Sequence, residues 1–225
     1  GNLYVTDNGW NGSHSMPSVK KFDPNGNFIM SFGSYSAGGE DGTFKYVDSV
    51  AVEPSTGNIY VSDYYRNDIQ VFSPSGTFIT KFGSSGSGDG QFSNPYGITF
   101  DKNGDIYVAD MMNHRIQKFS SSTHVFISKF GTQGSGDGQL NQPMNLVIDN
   151  AGDILVNDTF NSRIQKFSST TNAFMFKFGE TGSADGQISN GYGDIAIDAQ
   201  DNIYIAETNN IRVSVFDKNG IFIKF

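Results

Sequence analysis

Residues 85–131 read SGSGDGQFSNPYGITFDKNGDIYVADMMNHRIQKFSSSTHVFISKFG, and residues 133–179 nearly repeat them as QGSGDGQLNQPMNLVIDNAGDILVNDTFNSRIQKFSSTTNAFMFKFG. Four short apolar segments stand out in the first copy: GITFD (97–101), DIYVAD (105–110), RIQKF (115–119) and HVFISKF (124–130). Each has the length of an ordinary strand, about 5–6 residues. DKNG, between the first two, presents Asp, Asn and Gly in the order of a hairpin turn, and it returns as DNAG at 149–152 and in degenerate form as DAQD at 198–201. No helical periodicity survives for three turns anywhere. Four strands joined by short turns make one antiparallel sheet per repeat.

Working outward, Phe-Gly recurs at 32–33, 82–83, 130–131 and 178–179, and Phe225 lies 47 positions past Phe178, so the period is 47 to 50 residues. An acidic, Gly-rich loop keeps the same register as EDGTF (40–44), GDGQF (88–92), GDGQL (136–140) and ADGQI (184–188). One four-stranded sheet per period of about 40–50 residues is the spacing of a β-propeller blade, whose two faces are both covered by neighbours. The chain therefore reads as all-β, a single domain over 1–225 with blade units at about 1–33, 34–83, 84–131, 132–179 and 180–225. GNLYVTD at the start aligns with GDIYVAD at 104–110, so the first unit opens at its second strand, which predicts four complete blades and one three-strand blade. An uncovered edge is a liability that native sheets avoid. Two alternatives follow: the chain is part of a longer propeller, or its short blade is completed by a further segment or another copy.

Composition supports this reading. Leu occurs only at positions 3, 140, 146 and 155, while 20 Phe, 10 Tyr and the β-branched residues supply most of the apolar side chains, a balance that favours strands. The absence of Cys excludes disulfides and thiolate metal sites. No segment approaches the roughly 20 apolar residues of a membrane-spanning helix. The first residues show neither the basic start nor the apolar run of a signal peptide, and processing would have erased one.

The stretch PYGITFDKNGDIYVADMMNHRIQKF resembles the NHL repeat, and the resemblance extends over nearly the whole chain. It implies a β-propeller, commonly six-bladed, with the first strand of each unit nearest the axis. It also implies an expectation for metals: family members that act as peptide-amidating lyases hold zinc with several axial histidines. Here the histidines are His14, His114 and His124, which do not form such a set. A lactonase-like site would need an axial group of Glu, Asn and Asp. Asp48, Asn145 and Asp194 approximate a hard-cation site at the channel mouth, with calcium as the metal suited to oxygen ligands.

Loops between second and third strands differ most from unit to unit: 7–19, 63–69, 110–116, 158–164 and 207–213. They offer Trp10, His14, Tyr64, Tyr65, Met111, Met112 and Phe160 on one face, with Tyr96 and Tyr192 just before first strands. Rigid aromatic side chains give large contact area at low entropy cost, so these residues form the candidate ligand-binding set. The alternative is that they pack loop against loop. The pattern D-x-x-N-x-R at Asp110, Asn113, Arg115 and at Asp158, Asn161, Arg163, with Glu207, Asn210, Arg212 as a variant, reads as a structural clamp around a tight turn. The second unit breaks it with Arg66, Asn67 and Asp68.

Other chemistries find little support. GSGDGQ at 86–91 and 134–139 precedes no helix and so offers no phosphate cradle. DPNGN (23–27) and DKNGD (101–105) lack the length and terminal Glu of a calcium loop and read as hairpin turns. No nucleophile signature is present. A net charge of -8 opposes nucleic-acid binding. Asn11-Gly12-Ser13 and Asn157-Asp158-Thr159 are glycosylation sequons in variable loops. The expectation is a non-catalytic binding propeller, extracellular or at the cell surface, that recognises a protein or glycan through its loop face and needs no cofactor. A hydrolase or lyase with a metal-assisted axial site, and a purely structural spacer or assembly module, are the alternatives.

Overall fold

The computed structural model describes residues 1–10, 15–189 and 193–225. Within its strands the side chains of Trp10 and Ser15 also lie outside the described set. The described residues form five small antiparallel sheets, each with its strands in sequence order. Chain contacts divide into two compact units, 1–106 with 119–126, and 107–118 with 127–225.

In the first unit, β1 (Leu3–Trp10), β2 (Ser15–Phe22) and β3 (Phe28–Phe32) make the three-stranded sheet that the sequence predicts for the opening blade. The next sheet comprises β4 (Val47–Val52), β5 (Ile59–Asp63), β6 (Asp68–Phe72) and β7 (Phe78–Phe82). The third sheet, whose residues divide between the two units, is β8 (Pro95–Phe100), β9 (Ile106–Asp110), β10 (Arg115–Phe119) and β11 (Phe126–Phe130). The second unit adds β12 (Leu146–Ile148), β13 (Ile154–Asp158), β14 (Arg163–Phe167) and β15 (Phe174–Phe178). Its last sheet is β16 (Ile195–Ile197), β17 (Ile203–Glu207), β18 (Arg212–Phe216) and β19 (Phe222–Lys224).

The hairpin turns work as their sequences demand. Asp23 Oδ1 accepts the N–H groups of Asn25 and Asn27 at 2.9 and 2.8 Å, and Asp101 Oδ1 those of Asn103 and Asp105, both at 2.9 Å. The carboxylates that resemble calcium ligands in sequence are spent on their own turns.

Phe-Gly and the acidic loop that follows it turn out to be two halves of one device. Gly33, Gly83, Gly131 and Gly179 all have positive φ, from 79° to 93°. A Cβ on each would fall 2.1 Å from Phe44, 2.5 Å from Phe92, 2.6 Å from Leu140 and 2.3 Å from Ile188, respectively. Those four apolar residues are completely buried. Glycine is needed both for the left-handed backbone and for the space that the next loop's side chain fills. Beyond this latch, neighbouring blades bury apolar faces against each other. Val19 and Phe32 pack with Phe44, Val47, Ile59, Val61 and Phe72 in the first unit, and Leu155 and Ile164 with Ile188, Ile195, Ile203, Ile205 and Phe216 in the second. Each such large side chain contributes roughly 1.5–3 kcal/mol on burial.

One expectation is corrected here. The stretch 7–19 is mostly not a loop: β1 and β2 run on as a ladder with Asp7 opposite Ser18, Asn8 opposite Pro17 and Gly9 opposite Met16. The additional residues lengthen a hairpin, whose pairing needs only backbone groups and so leaves little trace in side-chain pattern.

Candidate functional site

The clamps come first, because the site is where they fail. Asp158, fully buried at the end of β13, accepts Arg163 Nε at 2.7 Å, Gln165 Nε2 at 3.0 Å and Asn161 Nδ2 at 2.9 Å. The Arg163 guanidinium then donates to the carbonyls of Ser135, Gly136 and Gln139, tying the interblade loop to the strand end. Asp110 accepts Arg115 Nε and Gln117 Nε2 in the same way, at 2.7 and 3.0 Å. Glu207 accepts Arg212 Nε at 2.9 Å and the Ser214 hydroxyl. Burial pushes the Glu207 carboxyl up, but these donors and the Ser189 N–H outweigh it and hold it below the usual carboxylate range. Gly88, Gly136 and Ala184 donate their N–H groups to the side chains of Gln91, Gln139 and Gln187, so the GSGDGQ loops close on themselves.

In the second blade an acid, Asp68, stands where the other blades have Arg115 and Arg163. Arg66, two residues earlier, reaches the same loop, donating to the carbonyls of Gly39, Glu40 and Thr43 at 2.9, 2.9 and 2.8 Å. Its Nε faces Asp68 Oδ2 at 3.3 Å. Asp63, fully buried at the end of β5, is left with backbone donors: Lys45 N at 2.7 Å, Tyr46 N at 3.2 Å, Tyr65 N at 3.2 Å and Arg66 N at 3.1 Å. Burial raises its pKa, partly offset by those N–H groups.

A register shift between Val47 and Val50 in β4 brings Asp48 close to Asp63. Bulges commonly re-aim a side chain in this manner. Asp48 Oδ2 is buried without a hydrogen-bond partner among the described residues, as is Asp68 Oδ1. Burial, and then the charge of Asp63, push the Asp48 carboxyl up to about 7. Asp68 rises to about 6 through burial, with Arg66 opposing the rise.

Beside Asp63, which accepts the N–H groups of Tyr46 and Tyr65, the chain places three tyrosines at steep angles. Tyr64 and Tyr65 stand 5.0 Å apart at 85°, Tyr46 and Tyr65 5.5 Å at 72°, and Tyr46 and Tyr64 6.2 Å at 64°. Tyr65 is 60% exposed, and the other two are half-buried. The segment is fixed from both sides: Asn94 donates its Nδ2 to the Tyr64 carbonyl at 3.0 Å and its N–H to Asn67 Oδ1 at 2.7 Å, while Tyr64 N donates to the Tyr46 carbonyl at 2.9 Å. This is a rigid aromatic surface on a buried acidic base, the kind of preorganised site that binds without ordering cost.

The other expected site residues are dispersed. Met112 and Phe160 are exposed, at 43% and 51%, on the short 3-10 turns 111–113 and 159–161, but Met111 is buried at 5%. A left-handed residue, His114 or Ser162, ends each turn, and the first turn residue, Met111 or Thr159, is buried. Tyr96 lies inside β8 and Asp48 inside β4, not ahead of their strands. Trp10's side chain, His14 and Tyr192 lie outside the described residues. Asp48 belongs to the first unit, and Asn145 and Asp194 to the second. Asp194 is exposed and accepts the Ile195 N–H at 2.7 Å, and the Asn145 carbonyl accepts Asn157 N at 2.8 Å. Among the described residues, no group of three or more His, Asp or Glu is placed to hold a metal ion. Tyr46 was missed in sequence, its only signal being a third Tyr next to the variable loop's acidic neighbourhood. Clefts of about 460 and 410 Å³ in the second unit are lined by clamp residues, Asn161 and Arg163 in one and Glu207 and Arg212 in the other, whose polar groups are already engaged.

The architecture is that of a β-propeller built from small antiparallel blades, and the comparisons agree. A family model described as a 6-bladed beta-propeller matches residues 40–130. The peptidylglycine alpha-amidating monooxygenase of Rattus norvegicus is 39% identical over 132 residues, 55% of this chain; the chain spans only 13% of that protein's length. Among solved structures, a streptogramin B lyase superposes with a TM-score of 0.67 at 16% identity, covering 100% of this chain and 72% of the lyase. A protein of unknown function from Bacteroides caccae gives 0.67 at 12% identity, covering 93% and 76%. Identities this low speak to the fold alone. No helix among the described residues is long and apolar enough to cross a membrane.

Proposed function

We propose that this is a non-catalytic recognition propeller of NHL type, whose partner, a protein or a glycan, seats on the tyrosine segment of the second blade. The observation that carries the reading is the set of three steeply angled rings, Tyr46, Tyr64 and Tyr65, held by Asn94 and presented at a blade whose clamp arginine is replaced by Asp68. At the position of Tyr65 the third and fourth blades carry Met112 and Phe160, exposed at 43% and 51%. Surface display, on the cell or outside it, suits such a module. The test is a paired screen of wild type and Tyr65→Ala on glycan and peptide arrays. Ligands retained by wild type and lost by the variant are expected; identical profiles would overturn the reading.

A second reading has one observation in its favour. A carboxyl pushed up to about 7, like that of Asp48, is poised for proton transfer near neutral pH, and the streptogramin B lyase shares the fold. Turnover of a streptogramin B antibiotic that Asp48→Asn abolishes and Tyr65→Ala spares would favour a lyase.

A further inference from the structure

Resting on the binding reading above, we propose that the group this site takes from its partner is a cation: the ammonium or guanidinium of a lysine or arginine side chain in a protein.

The first ground is charge. Each of Asp110, Asp158 and Glu207 has an arginine Nε within 2.7–2.9 Å, whereas Asp63 has backbone N–H groups only. Asp48 and Asp68 add two further carboxylates, each with an oxygen buried and without a hydrogen-bond partner, and the Asp68 residue is only 6% exposed. Arg66 is committed to three carbonyls and Asp68. Lys81 pairs with Asp41 at 2.7 Å, and Lys45 gives Asp63 only its backbone N–H. Three carboxyl groups near the tyrosine segment thus face the single guanidinium of Arg66, with Lys81 farther out, and above about pH 7 they carry more negative charge than these neutralise, in a protein whose net charge is already -8. In partly desolvated surroundings such an excess attracts a cation over several ångströms without direct contact.

The second ground is the rings. A cation is held by the face of an aromatic ring within about 6 Å of its centroid, and aromatic side chains are how quaternary ammonium groups are recognised. Elsewhere the chain supplies its own cations to rings, Lys21 over Tyr4 at 5.3 Å and Lys118 over Tyr107 at 5.1 Å. No basic group of the described residues lies over Tyr65, the most exposed of the three. A neutral sugar would use the rings and donate hydroxyl hydrogen bonds to acceptors, but it would gain nothing from net charge, so its binding would not weaken in salt.

The experiment is an NMR titration of the whole chain, following tyrosine ring resonances, with N-acetyl-trimethyllysine amide, with its neutral isostere carrying a tert-butyl group, and in parallel with a neutral oligosaccharide, cellohexaose. Saturable binding of the cationic probe is expected, at least about tenfold tighter than the isostere, weakened several-fold by 0.5 M salt and by Asp48→Asn, and lost in Tyr65→Ala. Equal binding of probe and isostere, or indifference to both salt and Asp48→Asn, would overturn the cation assignment. Tyr65-dependent binding of cellohexaose with no response to the cation would overturn it too, while leaving the recognition reading standing. No Tyr65-dependent response to any probe would remove both.

Discussion

Arg66 and Arg163 hold equivalent interblade loops from different rungs of their strands. Arg163 projects from the start of β14 and bonds the carbonyls of Ser135, Gly136 and Gln139, whereas Arg66 reaches the matching carbonyls of Gly39, Glu40 and Thr43 from the turn before β6. The loop is secured either way. What changes is the acid at the end of the second strand: Asp158 keeps its guanidinium, and Asp63 does not. Moving one arginine by two positions preserves the scaffold and leaves a buried carboxylate held by backbone N–H groups beside the tyrosine segment.

Burial of Asp48, with the charge of Asp63 beside it, gives folding an unusual pH profile. Asp48 has its pKa raised from 3.8 to about 7, so the folded chain binds its proton more tightly than the unfolded chain. Stability therefore falls as pH rises between those values and levels off above them. Asp48→Asn should match wild type near pH 4 and exceed it at pH 8 by up to about 4 kcal/mol. Urea unfolding at the two pH values measures the difference, and a variant less stable at pH 8 would contradict the assignment.

His124 works in the opposite direction. Its ring stacks on Phe82 at 4.9 Å and 7°, shares a hydrogen bond of 3.1 Å with the Tyr60 hydroxyl, and is kept below its usual 6.5 by burial, with Glu53 pulling the other way. The unfolded chain takes up the proton first, so this contribution is complete above pH 6.5 and is lost as pH falls below it. His124→Gln should flatten the acid side of the stability profile between pH 5 and 6.5. An unchanged slope would show that the imidazole is not the group responsible.

Gly131→Ala should destabilise by roughly 2–4 kcal/mol, combining a strained left-handed backbone with overpacking. The new methyl would meet not only Leu140 at 2.6 Å but also backbone, His114 O at 3.0 Å and Arg115 Cα at 3.2 Å. Trimming Leu140 in a double variant should therefore rescue only part of the loss in a denaturant titration.

Ile211 is 92% exposed and holds φ at 53°. A β-branched residue in that conformation costs about 1–2 kcal/mol and here gains no packing in return. Ile211→Asn should raise stability by roughly 0.5–1.5 kcal/mol, visible as a higher thermal midpoint. Equivalent positions already carry Asn67, His114 and Ser162.

Much of this was legible in the residues. The repeat, the Asp-Asn-Gly turns and the D-x-x-N-x-R clamps are local, so spacing alone exposes them. Met111 and Met112 look alike in sequence, yet on their 3-10 turn one is buried and the other exposed. Tyr46 joins Tyr64 and Tyr65 across a strand pair with a register shift, a displacement that no periodicity announces. The break at 66–68 was visible as a departure, but the loss of a counter-ion at Asp63 emerges only when the reach of Arg66 is known.

The latch between each Phe-Gly and the apolar residue nine to eleven positions later has a consequence for how such chains arise. Because both halves lie close in sequence on either side of a repeat boundary, the joint is carried along with any whole-repeat duplication or deletion. A splice from Gly83 directly to Thr132 would bring Leu140 to the distance at which Phe92 normally follows. Gene rearrangement can thus change the number of blades without inventing a new junction, and the exchange of Phe, Leu and Ile at this point shows how loosely the fitting part is specified.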